Sequence, residues 1–175
     1  VLFRSYPGST FCQTGTDPTA TITGLPGGTF SVSPSGLVLS NASTGLLDLS
    51  SSIPGTYTVT YQTNGNCPNS SSISLTITNA PTADFTYTTP LCSSDANPLP
   101  TFISGSSAGL FSSTSGLSFV STNTGEIDMA ASTPGSYVVV NTIAAAGGCA
   151  AAIASANITI DQAAIVSAGA DNSVC

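Results

Sequence analysis

The chain alternates apolar and polar residues over short stretches and shows no period of 3.6 anywhere along its length. In Thr56-Tyr57-Thr58-Val59-Thr60-Tyr61 every second residue is large and apolar. That pattern puts Tyr57, Val59 and Tyr61 on one face of a strand and the threonines on the other. Ser72-Ile73-Ser74-Leu75-Thr76-Ile77 alternates in the same way. Turn residues interrupt the apolar stretches every 8–12 positions or so, which is the spacing of a sandwich. In the first half this places strands near 19–24, 28–33, 37–40, 46–49, 56–62 and 72–78. Ala144–Ala146 and Ala150–Ala152 have helical propensity, but Gly147-Gly148 splits them, so they read as a hairpin turn and the start of the last strand. The expected fold class is all-β, built as tandem immunoglobulin-like antiparallel β-sandwich domains.

The pattern occurs twice. Phe11-Cys12 returns as Leu91-Cys92, Gly36-Leu37 as Gly116-Leu117, Ser43-Thr44-Gly45 as Asn123-Thr124-Gly125, and Pro54-Gly55-Thr56-Tyr57 as Pro134-Gly135-Ser136-Tyr137, each 80 residues on. The offset then grows to 82 between Cys67 and Cys149 and to 83 between Cys92 and Cys175. Small insertions of this kind belong in loops. The expected organisation is a first repeat at 6–79, a linker at 80–83, a second repeat at 84–160, a linker at 161–164, and the start of a third repeat at 165–175. Val1-Leu2-Phe3-Arg4-Ser5 matches the translation of a common sequencing-adapter end, so residues 1–5 are set aside as non-native in the fold reading.

Composition narrows the function. Charged residues make up 5% of the chain, and eight acids against one base give a formal net charge of −7. Ser and Thr supply nearly a third of the residues, with 17 Gly and 11 Pro as punctuation. A hydrophobic fraction of 41% is enough to fill a core, which argues against disorder. Nucleic acid and anionic membranes both require Lys and Arg, so neither is an expected partner. No apolar run reaches the roughly 20 residues of a spanning helix, so membrane insertion by this segment is not expected.

With no His, and Arg4 as the single base, the commonest general base and the amine nucleophile are both missing. No catalytic residue, cofactor site or metal site is assigned. Glu126 and Asp128 lie two apart on one strand and point in parallel, unlike a glycosidase pair, and position 126 is Leu46 in the other copy. Asp84 and Asp161 near the linkers, and Asp48 matching Asp128, are the candidate calcium ligands, but no D-x-D cluster supplies the six to eight or so oxygens that calcium takes. Sequons such as Asn41-Ala42-Ser43 arise by chance in so Ser/Thr-rich a chain. A glycan-binding face would need exposed aromatics. Trp is absent, Tyr57 and Tyr137 after Pro-Gly read as structural tyrosine corners, and Tyr6, Tyr87 and Phe111 remain as candidates.

Five cysteines without His and without C-x-x-C point to disulfides rather than zinc, and so to a location outside the cytoplasm. The simplest pairing is Cys12 with Cys67 and Cys92 with Cys149, which leaves Cys175 without a partner. The rival pairing joins Cys67 to Cys92 across the linker.

The segments T-I-T-G-L-P-G-G-T-F (21–30), G-L-V-L-S-N-A-S-T-G-L-L-D-L (36–49), P-G-T-Y-T-V-T-Y (54–61) and C-P-N-S-S (67–71) resemble the immunoglobulin-like repeats of very large Bacteroidota secreted and surface proteins. The repeats of that family stand in series ahead of a gliding-motility-associated sorting domain for type IX secretion. The pattern is also similar to wider cadherin-like repeats. The resemblance implies an extracellular or cell-surface stalk of an adhesin, with neighbouring repeats as its partners. The alternative is that the repeats themselves bind glycan or a host or cell-surface protein, through loops such as 105–116 or 144–149.

Overall fold

The computed structural model describes residues 5–164, and every regular element among them is a strand. Two compact units emerge. Unit 1 runs to Pro81 and takes in Ala144–Ala151; unit 2 covers Thr82–Ile143 and resumes at Ala152. Val1–Arg4 of the expected non-native leader, and the expected third-repeat start at 165–175 with Cys175, lie outside the described residues.

Unit 1 contains β1 (Thr10–Cys12), β2 (Thr29–Ser33), β3 (Val38–Asn41), β4 (Leu46–Asp48), β5 (Gly55–Gln62) and β6 (Ser70–Thr78). The main sheet has the order β1-β6-β5-β2, with β1 parallel to β6 and the other pairs antiparallel. β3 and β4 pair as a separate ribbon. Along β5 the alternation is realised: Tyr57, Val59 and Tyr61 are buried, whereas Thr56 and Thr58 are exposed. They meet Phe30 from β2, Leu75 and Ile77 from β6, and Leu47 and Leu49 from in and just after β4, so the ribbon closes the open face of the main sheet. A two-layer core of this kind is what a half-apolar sheet requires.

Two placements differ from the sequence expectation. The stretch 19–24 contributes only a single bridge, Ser5 to Thr21, because Pro18, Gly24 and Pro26 crowd a segment that would otherwise ladder. Residues 10–12 do form a strand, β1, which is too short to show any alternation and exists through its parallel pairing with Thr76–Thr78.

Unit 2 holds β7 (Phe85–Thr86), β8 (Leu91–Cys92), β9 (Thr101–Phe102), β10 (Leu110–Ser113), β11 (Phe119–Ser121), β12 (Glu126–Ile127), β13 (Gly135–Ile143) and β14 (Ala152–Asp161). Its main sheet has the order β10-β13-β14-β8, with β8 parallel to β14, which is the order of unit 1 in equivalent strands. Its own core gathers Phe85, Tyr87, Phe111, Ile127, Met129, Tyr137, Val139, Ile158 and Ile160.

Each unit carries a tyrosine bonded four residues upstream. The Tyr57 hydroxyl donates to the Ile53 carbonyl and the Tyr137 hydroxyl to the Thr133 carbonyl, both at 2.5 Å. This corner is a hallmark of immunoglobulin-type sandwiches. The architecture is thus all-β and immunoglobulin-like. Tyr57→Phe keeps the ring but leaves the Ile53 carbonyl without its donor. It should cost about 1 kcal/mol, read as a lower urea midpoint at unchanged slope.

Candidate functional site

The chemistry-bearing groups of this chain are its thiols, and strand geometry decides which of them meet. In the parallel register of β1 and β6, Cys12 lies opposite Thr78, at the C-terminal end of β6. Cys67 sits in the connection that leads into β6 at Ser70. The two are therefore separated by the whole nine-residue strand, roughly 25–30 Å at about 3.3 Å per residue, against the ~7 Å limit between the Cα atoms of a disulfide. The same holds in the second copy of the repeat, where Cys92 faces Asp161 at the end of β14 and Cys149 precedes its start at Ala152. The expected pairs 12–67 and 92–149 therefore do not form, and neither does 67–92. Cys12 is bonded instead to Cys149, with the Cα atoms 4.7 Å apart and 137 residues between them in sequence. Cys67 and Cys92 are exposed free thiols.

The bond lies within unit 1, to which the connection 144–151 belongs. Cys12 and Cys149 are 3% and 6% exposed. Around them the Thr78 hydroxyl donates to the Gly147 carbonyl at 2.6 Å, and Ala146 and Cys149 form a bridge. Gly148 has φ +78°, and a Cβ there would stand 2.8 Å from the Thr10 carbonyl oxygen. The Gly-Gly of this loop thus lets its backbone lie against β1.

The other candidate residues are dispersed. Glu126 is half-buried on β12, and Asp128 lies just beyond it. The Asp128 carboxylate accepts the amides of Ala130 and Ala131, closing a turn. Asp48 does the same for Ser51 and also accepts the Ser50 hydroxyl. Hydrogen bonds from Ser51, then from Ser50, hold its carboxyl below the usual carboxylate range. Asn41 accepts the amides of Ser43 and Thr44. Asp84 and Asp161 are both exposed. Among the described residues, no three His, Cys, Asp or Glu side chains gather as a metal site would need.

The aromatic candidates for a glycan platform are corrected by burial. Tyr6, Tyr87 and Phe111 are 4%, 7% and 1% exposed, and no aromatic ring is exposed among the described residues. Tyr6 and Tyr87 occupy equivalent places, and their hydroxyls donate to the carbonyls of Gly45 and Gly125. Phe111 packs edge-on to Phe85, with ring centroids 5.2 Å apart. Burial pushes the phenols of Tyr6 and Tyr87 well above the ordinary tyrosine range. In the unfolded chain they ionise near pH 10, while in the fold they stay protonated. Their contribution to stability is therefore complete below about pH 10 and is lost as pH rises beyond it. The melting temperature should fall between about pH 10 and 12, and the double change Tyr6→Phe and Tyr87→Phe should flatten that fall.

One buried polar residue carried no sequence motif. Asn141 is fully buried on β13, where Tyr61 stands in unit 1. Its Oδ1 accepts the Gly109 amide at 2.8 Å, and its Nδ2 donates to the carbonyls of Ala83 and Ser107 at 2.9 and 3.0 Å. In unit 1 the Tyr61 hydroxyl accepts the Gly28 amide and donates to the Leu25 carbonyl, both at 2.9 Å. The alternation Tyr137-Val139-Asn141 is the signal that turns this Asn inward.

A groove of about 430 Å³ lies in unit 1 beside β2 and the connection after β5, lined by Thr29, Ser31, Gln62, Asn64 and Pro68 among others.

No protein-family model matches the chain, and no curated protein does. Among solved structures it is similar to mouse cadherin-23, with 12% identity over 93% of this chain and 66% of that one and a TM-score of 0.39. It is similar to the insect immune protein hemolin, with 14% identity over 93% of this chain and 46% of that one and a TM-score of 0.46. A SusE-like surface located polysaccharide binding protein from Bacteroides thetaiotaomicron matches at 16% identity over 84% of this chain and 31% of that one, with a TM-score of 0.30. The chain thus spans from under a third to just under two thirds of these structures.

Proposed function

We propose that the chain is a non-catalytic spacer, a series of tandem immunoglobulin-like repeats in the stalk of a large bacterial extracellular or cell-surface protein of adhesin type. One observation carries this reading: the scaffold recurs between the two units while the candidate chemistry does not. The strand order and the tyrosine corner are the same. Yet Glu126 answers to Leu46, Asn141 to Tyr61, and Asp161 to Thr78. Selection for a repeated active site would have held the reactive positions; selection for a repeated fold holds the framework. A buried disulfide supports a place outside the cytoplasm. The Bacteroidota origin and type IX secretion rest on the motifs quoted above.

The groove beside β2 supports a second reading, in which unit 1 itself binds a glycan or an extended peptide through Ser31, Gln62 and Asn64. A glycan array probed with the full chain separates the two. The spacer reading expects no saturable signal. Saturable binding that is lost in Gln62→Ala with Asn64→Ala would replace it with the second reading.

A further inference from the structure

We infer that Cys67 and Cys92 are the open halves of further disulfides of the same kind as Cys12–Cys149, so that successive repeats are linked strand cysteine to loop cysteine along the array. The inference rests on the tandem-repeat reading for its biological setting, but the evidence for it lies in the thiols themselves.

The bonded pair joins two positions that are not equivalent. Cys12 closes the short first strand of its sheet, and Cys149 lies in the connection before the last strand of the second sheet. Each position has a counterpart in the other copy. Cys92 closes β8 as Cys12 closes β1, and two backbone hydrogen bonds beside them recur. Gln13 donates its amide to the Thr78 carbonyl, as Ser93 does to the Asp161 carbonyl, and Gly15 donates to the Cys12 carbonyl, as Asp95 does to that of Cys92. Cys67 in turn occupies the connection between β5 and β6, as Cys149 does that between β13 and β14. The structure therefore holds one bonded strand-to-loop pair, one free strand thiol and one free loop thiol. Under this rule the partner of Cys92 is the loop cysteine of the repeat that follows, and the partner of Cys67 is the strand cysteine of the repeat that precedes. Both free thiols are exposed, as groups awaiting an outside partner must be, whereas both bonded cysteines are buried.

Two differences between the seats bear on the partner each would take. Asp161 stands opposite Cys92 where Thr78 stands opposite Cys12, and Asn66 precedes Cys67 where Gly148 precedes Cys149. A carboxylate cannot donate to a loop carbonyl as Thr78 does, but it accepts loop amides and the Asn66 carboxamide N–H groups. The difference suits Asp161 to a loop of the Asn66 kind. Bond formation removes one proton from each thiol and two electrons in all, and the acceptor is an oxidised disulfide, either of a thiol oxidoreductase or of glutathione.

The test uses the full chain with Cys175→Ser, so that two free thiols remain. Cys67→Ser and Cys92→Ser versions of it are incubated together in a glutathione redox buffer, and the disulfide-linked dimers are resolved by non-reducing electrophoresis and peptide mass mapping. The first version can offer only Cys92 and the second only Cys67. The expected result is a 67–92 dimer in several-fold excess over the 67–67 and 92–92 dimers. Random proportions of the three would overturn the inference. So would the absence of dimers while iodoacetamide still alkylates both thiols. Neither outcome touches the spacer reading, which the glycan array judges separately.

Discussion

Removing the bond between Cys12 and Cys149 is expected to cost the chain up to about 5 kcal/mol in unfolding free energy. The figure is the chain-entropy value for a closed loop of 137 residues. Cys12→Ser, Cys149→Ser and the double variant should all show the same loss, because each removes the same covalent link. The effect should be concentrated at the connection 144–151. Its residues are exposed apart from Cys149 itself, and besides the disulfide it is held mainly by the Thr78–Gly147 hydrogen bond. Amide exchange at 144–151 should therefore rise most. Cys67→Ser and Cys92→Ser change exposed thiols that bond nothing and should stay within about 0.5 kcal/mol of the parent. An unchanged denaturant midpoint in Cys149→Ser would show that the bond does not constrain the chain.

Asn141→Leu is the second large expected effect. Leucine keeps the branched four-atom side-chain skeleton of asparagine, so the change removes the hydrogen bonds without opening a cavity. It strands three partners at once, the buried Ala83 carbonyl and the part-buried Gly109 amide and Ser107 carbonyl. An unsatisfied buried group costs about 1–3 kcal/mol and a part-buried one less, so a total loss of about 2–4 kcal/mol follows. Urea unfolding followed by the signal of unit 2 measures it. A loss below about 1 kcal/mol would mean that water reaches those backbone groups. Asn141→Tyr tests the equivalence with Tyr61. A phenol can take the Gly109 amide but cannot serve both carbonyls, so the variant should recover only part of the loss.

The strands that bury large side chains on one face could be read directly from the residues. Tyr57, Val59 and Tyr61 alternate with threonines, Leu75 and Ile77 with Ser74 and Thr76, and the same face recurs at Tyr137 and Val139. A period of two needs no tertiary information, because a strand that turns one face to a core must carry it in sequence. The recurring Pro-Gly-x-Tyr was likewise legible, since the corner closes over four residues of local chain.

What escaped the sequence depended on contacts between distant segments. β1 and β8 are three and two residues long, below the length at which alternation means anything, and they exist through parallel pairing with the ends of β6 and β14. Tyr6, Tyr87 and Phe111 looked like surface aromatics because no local pattern surrounds them. Each is buried by elements far along the chain, as the bonds from Tyr6 to Gly45 and from Tyr87 to Gly125 show. The cysteines are the clearest case. Similar spacing in the two copies suggests that each copy closes on itself, yet spacing along a chain says nothing about which end of a strand a residue occupies. The alternation of apolar and polar positions was enough to establish the sandwich and its inward faces. Only the folded sheet decided the disulfide, because a full strand length separates Cys12 from Cys67 and the connection carrying Cys149 lies against β1.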